Sequence, residues 1–137
     1  MYEKRTLGLD EARKIIDAVL EKAGAEPKRA IVVVVVDPDG EPIALARMDR
    51  TGHMSRGMAV RKAYTAARMG SDSAAFADRM RTIGFDFATL GDPKLVFANG
   101  GVCLRVDGEV VGAVGVSGRT GEEDTELAKA GAAAIGL

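Results

Sequence analysis

Six consecutive β-branched residues, Ile31-Val32-Val33-Val34-Val35-Val36, constrain this chain more than any other feature. Branching at Cβ crowds the preceding turn of a helix and suits a pleated strand, and the run is too short to form a helix alone. No polar residue alternates with the valines. The strand therefore has no face to give to water and belongs in the middle of a sheet, covered on both sides.

Asp37-Pro38-Asp39-Gly40 follows with strong turn chemistry, and Pro42 to Met48 resumes as a second strand, completing a hairpin. A second hairpin joins Gly101–Val106 to Glu109–Ser117 through Asp107-Gly108. Leu9, Ala12, Ile15, Ile16, Val19, Leu20 and Ala23 recur at helical spacing, with Gly8 as N-cap and Gly24 as stop, and predict an amphipathic helix over 9–23. Further helices are expected from about Ser55 to Met69, from Ser71 to Met80 behind a Ser or Asp cap, and from about Gly121 to Ala134. Arg81 to Phe97 reads mostly as loop, with Phe85 and Phe87 calling for burial and Asp92-Pro93 breaking whatever precedes it. Hairpins imply antiparallel pairing. The expected class is α+β, an antiparallel sheet of about four to five strands with helices packed against it.

A chain of 137 residues, 47% of them hydrophobic, suffices for one core, so residues 1–137 are expected to form a single domain. Its 19 basic and 20 acidic residues are interleaved to a net charge of −1, which leaves no electrostatic footprint for nucleic acid. The longest apolar run, Ala30 to Val36, is far short of the roughly 20 residues a membrane helix needs. Met1-Tyr2-Glu3-Lys4-Arg5-Thr6 lacks the apolar core of a secretory signal, so a cytoplasmic protein is expected. A single histidine and a single cysteine exclude an internal disulfide and argue against a zinc site, so no metal ligands are assigned.

Three stretches carry a family resemblance. Val34-Val35-Val36-Asp37 precedes a glycine turn and Leu45-Ala46-Arg47-Met48-Asp49, and Arg61-Lys62-Ala63-Tyr64-Thr65-Ala66-Ala67 follows. Gly100-Gly101-Val102 then pairs with Val110-Val111-Gly112-Ala113-Val114-Gly115-Val116-Ser117-Gly118, ending in Glu122-Glu123-Asp124. In these the chain resembles the GlcG/HbpS-like family, which includes the C-terminal domain of PduO-type proteins. The resemblance implies a profilin-like α+β fold, homo-oligomers, and ligand binding that in some members involves haem or corrinoid-related roles. Others are companions of catabolic enzymes. Where the family reads Gly-Gly-Val-Pro or Gly-Gly-Ile-Pro, this chain has Cys103, which restores a strand donor and adds a thiol.

The candidate site residues follow from these segments. A strand ending in glycines and handing over to a helix N-terminus offers bare N–H groups, so Gly100, Gly101, Ser117 and Gly118 are expected to line a pocket, with Arg119 beside it. Gly115, Gly118 and Gly121, spaced by three, fit neither the hydrolase elbow nor the dinucleotide loop. Thr120-Gly121-Glu122-Glu123 matches a capping box, which leaves Arg119 and Asp124 unexplained by helix initiation. His53 is read as lying in a loop before the second helix, placed for acid–base work or haem ligation. Arg61, Thr65 and Arg68 share one helix face that can hold a carboxylate or phosphate, with Arg56 nearby, against the alternative of a merely solvated face. Cys103 reads as a nucleophile or soft ligand if its thiol is activated, and as a small buried hydrophobe otherwise.

Two functions are consistent with this set. The first is a protein that binds a small anionic metabolite or a porphyrin-type cofactor in a glycine-lined pocket, accessory to a catabolic pathway. The second is an isomerase or lyase acting on a small carbonyl or carboxylate compound, with Asp124 or His53 as acid or base, an arginine clamp and Cys103 auxiliary. The resemblance makes haem a possible cofactor, but two tyrosines, four phenylalanines and no tryptophan are few to stack on a macrocycle and His53 is the only conventional nitrogen ligand, so the residues leave the cofactor open.

Overall fold

In the computed structural model, which describes residues 1–137, the valine run forms β1 (Val32–Val36) inside a four-stranded antiparallel sheet. β1 is flanked by β2 (Pro42–Arg47) and by β4 (Glu109–Ser117), and β3 (Gly101–Val106) lies outside β4, giving the order β2-β1-β4-β3. All five valines of the strand are buried, and their alternation divides the core in two. Val33 and Val35 join Ile15, Val19 and Leu127 beneath α1 (Leu9–Ala25) and the C-terminal helix, residues 121–133. Val32, Val34 and Val36 pack on Ala59, Ala63, Ala66 and Ala67 of α2 (His53–Met69). The class is α+β with helices on both faces, α3 (Ser73–Ile83) lies next to α2, and the C-terminal helix is α4 (Gly121–Ala133).

The alanine face of α2 sets how closely this helix rides on the sheet. A Cβ at Gly115 of β4 would lie 2.3 Å from the Ala59 carbonyl oxygen, a distance only glycine permits. Both hairpin turns form as read. Asp107 (φ 51°) and Gly108 (φ 82°) take the two left-handed positions of a two-residue turn, and the Asp37 carboxylate accepts from the amides of Asp39 and Glu41. At the start of α1, the Gly8 amide donates to Glu11 Oε2 at 2.9 Å.

Three readings need correction. His53 is not in a loop but is the first residue of α2, because extended Gly52 caps the helix three residues before Ser55. α3 begins at Ser73 rather than Ser71, and the side chain of its N-cap Asp72 accepts from the Cys103 amide of β3 instead of capping its own helix. Phe85 is half exposed rather than buried. The small apolar cluster beside α3 is closed by Phe76, Phe87 and Phe97, which meet edge to face. No helix is long and apolar enough to cross a membrane.

Candidate functional site

The expected site residues fall into two groups. The first surrounds a buried ion pair. Lys62, inside the alanine face of α2, places Nζ 3.0 Å from Asp124 Oδ2 and 3.0 Å from the Val116 carbonyl oxygen. The two side chains are 6% and 1% exposed. Asp124 Oδ1 accepts from the Arg119 amide at 3.0 Å, so one carboxylate ties the start of α4 both to α2 and to the Gly118-Arg119 turn. Burial pushes the Asp124 carboxyl above its ordinary range, and the Lys62 ammonium opposes that shift.

Gly100 and Gly101 make room for this lysine. A Cβ on Gly100 would stand 3.0 Å from Lys62 Nζ, and one on Gly101 would stand 2.3 Å from the Lys62 carbonyl oxygen. Their missing side chains are therefore filled by protein, and none of the five clefts of the chain is lined by Gly100, Gly101, Ser117 or Gly118. Arg119 turns the other way. Its Nε donates to the Arg29 carbonyl and its Nη2 to the Ala23 carbonyl, both at 2.8 Å, so it closes the C-terminal end of α1 with a side chain only 1% exposed. Thr120 caps α4, accepting from the Glu123 amide at 3.2 Å.

Cys103 stands apart on the edge strand β3. It is partly exposed, and burial pushes its thiol above the ordinary range despite the opposing charge of Arg105. That shift keeps the sulfur in its less reactive, neutral form.

The second group converges. His53, Arg56 and Arg61, with Met54, Gly57 and Met58, line a cleft of about 350 Å³ along the N-terminal half of α2. No acidic residue lines it, and neither Arg56 nor Arg61 has a carboxylate partner within 4.0 Å. The first turn of α2 also lacks an acidic residue and a side-chain cap, so its free amides add to the positive potential. Gly57 sits in mid-helix with nothing within 4 Å of where a Cβ would be, so the packing of the chain gives no reason for a residue that weakens the helix. His53 nitrogen and two thioethers are donors a haem iron accepts, and arginines suit carboxylate arms. No three His, Cys, Asp or Glu side chains gather anywhere to hold a metal ion.

Sequence reasoning missed Lys62 as the partner of Asp124. The signal was present: Lys62 lies three residues after Ala59 and four before Ala66, on the face that packs. Arg61 and Thr65 do not belong to a solvated face, because both hold the segment around Leu95.

The family model for haem degrading protein HbpS-like proteins matches residues 7–133. The GlcG protein of Escherichia coli K12 is 35% identical over 117 residues, which span 85% of each chain. Among solved structures, a double mutant of HbpS from Streptomyces reticuli superposes with a TM-score of 0.89 at 30% identity, over 100% of this chain and 92% of that one. A PduOC–haem complex gives a TM-score of 0.87 at 27% identity over 96% of each.

Proposed function

The chain belongs to the HbpS-like family, and from that premise we propose that it binds an acid-bearing small molecule of the porphyrin type in the cleft on α2. The observation that carries this reading is the cleft's composition: two arginines without counter-ions, the chain's one histidine, two methionines, and a helix glycine that the packing does not require. The relative solved as a haem complex supports the ligand class. His53, Met54 and Met58 are the donors available to an iron, and Arg56 and Arg61 are the cations available to carboxylate arms. Bound haem would supply redox and oxygen chemistry, and this chain's residues would orient it and neutralise its acid groups. We read the chain as self-associating, as its resemblance to the family implies. We read the protein as a cytoplasmic companion of catabolic enzymes.

Acid–base catalysis by Asp124 has less support, because that carboxylate is 1% exposed and already paired with Lys62. Titration with haemin tests the binding reading. A saturable Soret shift is expected, altered in position by His53→Ala and requiring about tenfold more haemin in Arg56→Ala, the loss of about one charge-assisted hydrogen bond. The absence of any saturable shift in the unmodified chain refutes it.

A further inference from the structure

Arg61, Tyr64 and Thr65 of α2 hold one irregular stretch of chain. Arg61 Nη2 donates to the carbonyl oxygens of Pro93 at 2.8 Å and Leu95 at 3.3 Å. The Tyr64 hydroxyl donates to Asp92 Oδ2 at 2.6 Å, and Thr65 Oγ1 accepts from the Val96 amide at 3.0 Å. Residues 61, 64 and 65 share a helix face, so they grip residues 92–96 from one side. That stretch belongs to no strand or helix, and apart from these bonds it is anchored by Leu95, which is 3% exposed, and by the Lys94 ammonium, 5.3 Å from the centre of the Tyr64 ring.

Of the three, Arg61 alone lines the cleft. Both its hydrogen bonds run through Nη2; Nε is buried without an acceptor, and Nη1 makes no hydrogen bond within the chain. One guanidinium thus meets the loop carbonyls and the cleft together. A free arginine side chain loses considerable rotamer freedom when a ligand immobilises it, and here the loop carbonyls impose much of that order beforehand.

We propose that Tyr64 and Thr65 are positioning residues for the ligand: they hold the loop at Asp92–Val96, whose Pro93 and Leu95 carbonyls fix the Arg61 guanidinium that receives the ligand's acidic group. The proposal rests on the cleft of α2 being the ligand site. Neither residue lines the cleft, so any effect on binding passes through Arg61. By linkage, an acid group held on Arg61 also protects the loop, by the same factor.

The test compares haemin with haemin whose propionates are methylated, in the full chain and in Tyr64→Phe and Thr65→Val, each verified as folded by far-ultraviolet circular dichroism. Both variants should bind haemin about fivefold more weakly, the lower end of coupling between sites, and should bind the methylated probe as the unmodified chain does. Thr65→Ser, which keeps the oxygen, should restore haemin affinity, and in an Arg61→Met background Tyr64→Phe should have no further effect. Equal losses on both probes, or a Tyr64→Phe effect that persists without Arg61, reduce the two residues to loop packing and overturn the proposal while the ligand site stands. Unmodified protein that takes up neither probe refutes the site and the proposal together.

Discussion

Replacing Lys62 with methionine tests whether the junction of α2 and α4 is held by charge or by shape. Methionine keeps most of the unbranched stem and removes Nζ, which reaches Asp124 Oδ2 and the Val116 carbonyl at 3.0 Å each. Asp124, 1% exposed, retains its bond from the Arg119 amide but loses its counter-ion. Breaking a buried pair from one side costs roughly 3–5 kcal/mol. An unfolding entropy of about 2.1 cal/mol/K per residue gives about 0.29 kcal/mol/K for 137 residues, so the melting temperature should fall by about 10–17 °C. Lys62→Met combined with Asp124→Asn leaves no buried charge and keeps an acceptor for the Arg119 amide, so it should recover most of the loss.

The pH dependence has a definite sign. Burial raises the Asp124 carboxyl, and Lys62 opposes it, so in Lys62→Met the carboxyl sits higher still. The folded chain then binds that proton more readily than the unfolded chain. Stability is therefore greatest below the unfolded carboxyl range and is lost as pH rises through the raised folded value. Calorimetry of Lys62→Met should show its deficit narrowing as pH falls from neutral toward the ordinary carboxylate range, while the double variant shows no such narrowing. A loss below about 1 kcal/mol for Lys62→Met, or a deficit that widens on acidification, would refute the reasoning.

Gly57→Ala should raise stability by about 1 kcal/mol, because the helix gains a better former where nothing lies within 4 Å, and should weaken haemin binding by putting a methyl group into the cleft. Higher stability with unchanged affinity would remove Gly57 from the ligand surface. Cys103 should react with iodoacetamide more slowly than glutathione at the same mildly alkaline pH, since burial disfavours its thiolate. A rate equal to that of the free thiol would contradict the neutral assignment.

The features legible in the sequence are those whose causes lie within a few residues. The β-branched run forced a strand covered on both faces, Asp107-Gly108 set a two-residue turn, and Thr120 capped its helix. The illegible features join distant residues. Lys62 and Asp124 lie 62 positions apart, and Arg119 and the Arg29 carbonyl lie 90 apart. Periodicity reports which face of an element is apolar, and it says nothing about which partner will meet a buried charge. The role of Arg61 and Thr65 was hidden for a related reason: the segment they hold has no periodic pattern of its own. His53 and Arg61 were readable as candidates, but their sharing one cleft depends on α2 starting at His53, a boundary set by Gly52.

The close seat of α2 on the sheet has a thermodynamic consequence for its outer face. Alanines against Gly115 leave little slack for the helix to slide or roll, since even a methyl group added at Gly115 would stand 2.3 Å from the Ala59 carbonyl oxygen. The side chains lining the cleft are thus carried on a rigid backbone, and a ligand arriving there has little main-chain freedom to quench. Affinity differences among variants of that face should then appear mainly as residence time, with association rates nearly unchanged.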